Sequence, residues 1–416
     1  VKPSPVPLPA LDDDDAPRKP TNYRWLIVLL GLAVVVSILL VYAENRVYEP
    51  ATPFLGGSGD HVHSLALDPL HPNHFYLGTH YGFFRTTDGG AHWDRLNGSG
   101  GLIATLVATS LTISPVDSRT VYVTGYELGD GNATGIYVTQ DDGAHWHLMP
   151  TGGKGQLPDP RVLFVTAGWA QPGEAYTYSI DYGLFRTTDR GAHWDRVAQP
   201  FAGQVTSFVP VLACGDAPSP PMTGTACPER IFVGTTQGLV IGDVSAKGAL
   251  TFTTQPTITT YVYAVAAHRG SHPTVYVSTD QGIFAAANPT ATFGAITTVA
   301  QGAPTLSSMA VSGADVNTLY GVTPQDAIQI SQDGGHTWKA LGSSLQTRGL
   351  SQLQAGLRQA TGNNTPQWAG GQNVFLTLLQ TPATATSMVY AALSFPVQLF
   401  DSTTAGQQWQ DVSQGG

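Results

Sequence analysis

Ten residues, Phe84-Arg-Thr-Thr-Asp-Gly-Gly-Ala-His-Trp93, return almost letter for letter as Phe185-Arg-Thr-Thr-Asp-Arg-Gly-Ala-His-Trp194. Looser copies read Thr139-Gln-Asp-Asp-Gly-Ala-His-Trp146 and Ser331-Gln-Asp-Gly-Gly-His-Thr-Trp338. A last one, Ser402-Thr-Thr-Ala-Gly-Gln-Gln-Trp409, has Thr404 where the others have Asp. The common frame is a hydroxyl residue, then Asp two positions on, Gly four on and Trp seven on. Each position has a physical task. The carboxylates of Asp88, Asp141, Asp189 and Asp333 can accept backbone N–H groups inside a turn. Gly90, Gly143, Gly191 and Gly335 suit a position that needs positive φ. The indoles of Trp93, Trp146, Trp194, Trp338 and Trp409 can pack beneath the turn, between neighbouring sheets.

Outward from each copy the chain repeats a strand pattern. Before the first copy come Ser64-Leu-Ala-Leu67, then Phe75-Tyr-Leu-Gly78, then Gly82-Phe-Phe-Arg85; after it comes Trp93-Asp-Arg-Leu96. The second of these recurs as Val121-Tyr-Val-Thr124, Ile231-Phe-Val-Gly234, Val275-Tyr-Val-Ser278, Leu319-Tyr-Gly-Val322 and Met388-Val-Tyr-Ala391. Marking each unit by its Trp, or by Phe252 and Phe293 where the Trp is lost, gives spacings of 53, 48, 58, 41, 45 and 71 residues. Seven units of four strands predict an all-β, seven-bladed propeller over residues 61–416, since one such sheet cannot bury both faces alone.

The motif resembles the Asp-box, or BNR repeat, of β-propellers in sialidases, sortilin-like receptors, some glucanases and a photosystem assembly factor. That resemblance implies the fold and a structural role for the box, remote from any active site. From the sortilin-like and assembly-factor propellers it implies docking onto other proteins. The basic patch expected of a factor that docks on acidic segments is not visible in this Arg-poor chain.

Strand order fixes where the loops go. With antiparallel strands A to D in each blade, B–C turns and D-to-A connections share one end of the ring. A–B and C–D turns, and with them every box, share the other. An insertion at 213–228 falls in an A–B turn. The longest, about 345–372, falls in a D-to-A connection, with a short helix predicted over Ser351–Ala360.

The N-terminal region is a separate matter. Residues 1–22 are Pro-rich with an acidic run and read as a disordered cytoplasmic tail. Trp25 to Ala43 is an apolar run of 19 residues, long enough to cross a bilayer. Arg18, Lys19 and Arg24 precede it and only Arg46 closely follows, which orients the N-terminus to the cytoplasm. The run is too long for the apolar core of a cleaved signal peptide. Residues 23–43 are therefore expected to be a transmembrane helix, and 44–60 a linker to an extracytoplasmic propeller. In that compartment Cys214 and Cys227 are expected to form a disulfide.

Composition excludes some functions. The formal net charge of −10, with no Lys/Arg cluster, argues against nucleic acid as a partner. A sialidase would need an arginine cluster and a Tyr–Glu pair; the five Glu (Glu44, Glu49, Glu127, Glu174 and Glu229) and the absence of an Arg-Ile-Pro segment do not supply them. A glucanase would need two facing carboxylates. Asp181 and Asp280 occupy B–C turns, but Asp before Gly is ordinary hairpin chemistry. Arg85 and Asp94, repeated as Arg186 and Asp195, are expected to pair across hairpins. His61-Val-His63 puts two imidazoles on one strand face, with His71, His74 and His80 near in sequence. They are read as surface histidines, with no metal and no cofactor assigned.

The expectation is a non-catalytic propeller whose partners are the membrane and other protein subunits of a membrane complex. It would bind through the end opposite the boxes. A glycan-binding or glycoside-hydrolase-like propeller is the alternative, and a structural surface or filament component a further one.

Overall fold

The computed structural model describes residues 60–212, 229–245, 249–268, 273–313, 315–324, 327–341, 376–380, 388–393 and 397–413. The segments expected to be the tail, the membrane helix and the helix at 351–360 lie outside them, as do Cys214 and Cys227. No helix among the described residues is long and apolar enough to cross a membrane.

Seven four-stranded antiparallel sheets follow one another along the chain, each built from consecutive strands in the order A-B-C-D. They occupy residues 62–95, 106–148, 164–198, 205–254, 262–298, 308–340 and 376–411. The A strands of successive blades touch, as do those of blades one and seven, so they line the inner ring. The D strands are the outer edges, and several are two exposed residues long, such as Asp94–Arg95. Short, charged edges of this kind resist pairing with another chain.

The B strands are the most deeply buried elements. Phe75–Thr79, Ala175–Ser179 and Val275–Thr279 are buried at every position. They sit in mid-sheet with both faces covered by neighbouring blades, which is why they read as continuous apolar runs rather than alternations. Seven apolar clusters fill the seven spaces between consecutive blades. The last of these joins Val62, Phe75 and Trp93 of blade one to Tyr390, Ala392 and Leu399 of blade seven. The ring therefore closes by contacts between side chains and backbone of blades one and seven, without exchange of a strand between them.

The repeated turns all connect strands C and D. In blade one the Thr86 hydroxyl donates to the Asp88 carboxylate (2.9 Å) and accepts the Gly90 N–H (2.9 Å); Asp88 accepts the His92 N–H (2.9 Å). The same bonds recur around Asp141, Asp189 and Asp333. Gly90 has φ +96°, and a Cβ there would lie 2.6 Å from the Val412 carbonyl of blade seven. The residue before the motif Gly is also left-handed: Asp142, Arg190 and Ala405 have φ of 59°, 61° and 53°. Trp93, Trp146 and Trp194 each pack against the preceding blade.

Two sequence markers differ in position. Phe293 is buried just before the fourth strand of blade five, where Trp stands elsewhere. Phe252 instead lies inside the fourth strand of blade four (Leu250–Thr254), with its ring 5.2 Å from that of Phe201. Blade four joins its third and fourth strands differently, so Phe252 is not a motif aromatic at all.

Candidate functional site

The end of the ring formed by B–C turns and blade-to-blade connections carries most of the large apolar side chains left in solvent. Tyr81, Ile180 and Tyr182 lie in B–C turns; Leu163, Tyr261 and Val299 flank the connections. Ile180 is 70% exposed, high for an aliphatic side chain at a tight turn. The rings of Tyr261 and Tyr263 meet at a tilt of 36° with centroids 4.5 Å apart. At this end blade one also gathers histidines.

His61, His63 and His80 come together here. The rings of His61 and His63 lie 4.5 Å apart and those of His61 and His80 stack at 4.7 Å. His63 Nε2 is 3.4 Å from His80 Nδ1, and the Tyr126 hydroxyl of blade two is 3.4 Å from the same Nδ1. Burial, with the neighbouring His61 and His80, pushes His63 down to about 4, so it is neutral at pH 7. All three rings are half-buried, not simple surface histidines as the sequence suggests. What the sequence hides is the strand register. Val62 pairs with Thr79, so the B–C turn delivers His80 beside His61.

His71 and His74 go to the opposite end, the end of the repeated turns. There the buried Asp68 carboxylate accepts His71 Nδ1–H (3.0 Å), His74 Nδ1–H (2.9 Å), the Leu70 N–H (2.8 Å) and the Ser118 hydroxyl (2.9 Å). His74 Nε2 approaches Asp142 Oδ1 of blade two at 2.9 Å, as an ion pair off the line of a good hydrogen bond. Burial works against charge on His74, but Asp142 and Asp68 outweigh it and hold the imidazole up at about 9. Tyr76 donates to Asp142 at 2.6 Å. Arg85 makes the expected pair with Asp94 (2.7 Å) and also reaches Asp142. The network is a clamp between blades one and two.

A second clamp joins blades three and four, and it disposes of two candidate catalytic acids. Glu174 and Glu229 are both wholly buried. The Tyr176 hydroxyl lies 2.6 Å from Glu229 Oε2 and 2.9 Å from Glu174 Oε1. Arg186 pairs with Glu174 at 2.5 Å, and the Trp169 N–H donates to Glu229 at 2.6 Å. One phenol carries one proton and can donate to only one of the two carboxyls. Burial first, then the charge of Glu174, pushes Glu229 well above the carboxylate range. A protonated Glu229 donating to Tyr176 leaves the phenol's proton for Glu174 Oε1. Such sealed groups reach no substrate.

Three further acids lie outside that clamp. Asp181 is exposed and lies 3.2 Å from Arg161, which Asp159 also holds. Asp280 is an exposed turn residue; the hairpin around it is held by Thr279, whose hydroxyl donates to the Gly282 carbonyl (3.0 Å). Glu127 ends a B strand, half-buried. A shallow groove beside Tyr182, lined also by Gln156, Pro158, Phe185 and Arg196, contains no carboxylate.

No family model matches the chain. A probable oligoxyloglucan-reducing end-specific xyloglucanase of Neosartorya fischeri is 27% identical over 149 residues, 32% of this chain and 16% of that protein. The chain thus matches under a fifth of that relative's length. Among solved structures, the GH74 xyloglucanase of Xanthomonas campestris superposes with a TM-score of 0.58 at 17% identity, over 88% of this chain and 56% of that one. YCF48 bound to D1 peptide gives 0.51 at 13% identity, over 82% and 92% of the two chains. YCF48 from Cyanidioschyzon merolae gives 0.52 at 13%, over 82% and 95%. At 13–17% identity these likenesses show a shared propeller fold and nothing finer.

Proposed function

We propose that this chain is a non-catalytic, protein-binding propeller that docks a partner on the end formed by its B–C turns and blade-to-blade connections. The observation that carries this is the set of apolar side chains left in solvent at that end: Tyr81, Leu163, Ile180, Tyr182 and Tyr261. Tyrosines that bury much area at small entropic cost, beside aliphatic residues, make good anchors for a protein surface. The repeated turns at the other end act as Asp-boxes that fasten the outer hairpins of the blades that carry them. The likeness to YCF48 bound to D1 peptide supports a peptide or protein ligand, at the level of fold.

Residues 23–43 anchor the propeller in a membrane, N-terminus in the cytoplasm, and Cys214 and Cys227 close a disulfide on the other side. The partner is then a subunit of a membrane-associated complex. The test is photocrosslinking of the full chain in its own membrane, with the reactive group placed at Tyr182, at Tyr261, or at the distant His145. A single stoichiometric adduct from the first two positions and none from the third supports the reading. Adducts only from position 145, or none at stoichiometric yield, overturn it.

A glycan-active propeller is the second reading. The matching segment of the xyloglucanase relative favours it, and exposed tyrosines also suit sugar rings. Release of reducing ends from xyloglucan oligosaccharides by the full chain, abolished by Asp181→Asn or Asp280→Asn, would establish it over the first.

A further inference from the structure

The geometry points to a metal site: His61, His63 and His80 form a three-imidazole centre for a divalent transition metal of the zinc, copper and nickel class. One candidate donor nitrogen from each ring lies within 4.8 Å of the others. His63 Nε2 and His80 Nδ1, 3.4 Å apart, already stand at the separation that two nitrogens have when both bind one tetrahedral zinc at about 2.0–2.1 Å. His61 offers the third imidazole nitrogen, on the ring stacked against His80. The donor set contains neither thiolate nor carboxylate. Neutral imidazole suits zinc, copper and nickel, whereas calcium and magnesium require oxygen ligands.

The backbone beneath the three rings is fixed before any metal arrives. Buried Asp60 accepts the N–H groups of His61 (2.8 Å) and Tyr81 (3.1 Å) and the hydroxyl of Thr79 (2.8 Å). The His80 N–H donates to the His61 carbonyl at 2.9 Å. Asp60 thereby locks the start of the first strand to the B–C turn of the same blade, so the ligands are held by two tied segments. It is a positioning residue for all three. Three protein ligands leave a fourth position open. Tyr126 of blade two and Tyr81, whose ring is 4.7 Å from His80, border the centre. The site lies at the same end of the ring as the exposed tyrosines.

The test is calorimetric titration of ZnCl2 into the full chain, purified without a polyhistidine tag. The expected result is one saturable site, weakened at least tenfold by His63→Ala and by His80→Ala and unchanged by His147→Ala. Because a substitution beside strand A could disturb folding, Cu²⁺ electron paramagnetic resonance on the unsubstituted chain provides an independent readout. Superhyperfine splitting from several imidazole nitrogens in a one-to-one complex supports the site. Absence of saturable zinc binding, parental affinity retained in His63→Ala and His80→Ala, or a copper signal without imidazole nitrogens overturns it.

Discussion

The Trp93 indole N–H of the first blade donates to the Val412 carbonyl of the last, across 3.1 Å and 319 positions of sequence. At the same seam the Tyr390 hydroxyl donates back to the Pro72 carbonyl at 3.3 Å, and the Phe75 and Tyr390 rings lie 5.0 Å apart. These contacts close the ring where no covalent neighbour helps. Trp93→Phe keeps most of the packing and removes one hydrogen bond, so it should lower unfolding stability by about 1 kcal/mol. Gly90→Ala should cost more, because the new Cβ meets the Val412 carbonyl at φ +96°. Urea unfolding ranks the two; a Gly90→Ala protein as stable as the parent would count against closure at this seam.

The clamp between blades one and two has a defined pH response. His74 sits at about 9 in the fold, against an ordinary 6.5, so the folded state holds a proton that the unfolded state releases. Its stabilisation is complete below pH 6.5 and is lost as pH rises to about 9. The shift corresponds to roughly 3 kcal/mol at most. The melting temperature should therefore fall between pH 6.5 and 9. In His74→Gln that fall should be shallower, on a lower baseline. An unchanged alkaline slope in His74→Gln would remove His74 as its source.

The number of blades was legible because a propeller repeats its local chemistry: Asp, Gly and Trp at fixed offsets recur in the C–D turns of four blades, and the Tyr-bearing second strand marks others. The clamps were not legible, because they join residues on different blades. Tyr76 to Asp142, Tyr176 to Glu229, Tyr276 to the Val316 carbonyl and Tyr390 to Pro72 all run from a B-strand tyrosine to the next blade, to a turn in three cases and to the start of strand B in the case of Glu229. The tyrosine recurs in the sequence, but its partner is a carboxylate in one blade and a carbonyl in another. The histidine centre was hidden for a similar reason. His61 and His63 announce themselves by spacing, whereas His80 joins them only through hairpin register, and His71 and His74, just as near in sequence, leave for the opposite end.

For the clamp between blades three and four the expected sign of a charge-neutral substitution is unusual. Glu229 is pushed up from its ordinary 4.5 by burial and by Glu174, so the folded state retains a proton that the unfolded state loses above 4.5. Stability from this group is therefore greatest at acid pH and declines as pH rises from 4.5 towards its raised value. Glu229→Gln imitates the protonated acid: its amide can donate to Tyr176 while its carbonyl accepts the Trp169 N–H. It should be as stable as the parent at pH 7 or more so, and should lose that decline. Glu174→Gln leaves Arg186 buried beside a neutral group and should cost about 3 kcal/mol. Chemical denaturation at pH 5 and pH 8 separates these outcomes, and a destabilised Glu229→Gln would mean that Glu229 is ionised.

The repeated turns respond in the acid range instead. The His92 N–H and imidazole hold Asp88 down to about 2, His145 does the same for Asp141, and Thr337 for Asp333. A carboxylate lowered in the fold stabilises it above its unfolded value near 3.9 and ceases to do so as pH falls to about 2. Thermal melts from pH 5 to pH 2 should show this loss. Triple replacement by Asn at positions 88, 141 and 333 should flatten it; equal acid slopes in parent and variant would assign the acid limb to other groups.

Blade seven shows what the turn does without its acid, and so offers a repair. Thr404 stands in the Asp position, accepting the Gln408 N–H at 2.8 Å, while Ser402 still accepts the Gly406 N–H at 2.9 Å. A neutral hydroxyl thus replaces a carboxylate in the same geometry, and the turn survives with Ala405 at φ 53° and Gly406 at 82°. Hydrogen bonds to an ionised acceptor are about twice as strong as neutral ones. Thr404→Asp should therefore stabilise the blade by about 1 kcal/mol above pH 4 and give no gain near pH 2. Blade seven also closes the ring against blade one, so the gain should appear in global unfolding and as slower amide exchange at Trp93 and Trp409. Should Thr404→Asp bring no stability at pH 7, the carboxylates of the other turns would have to be credited with something other than those hydrogen bonds.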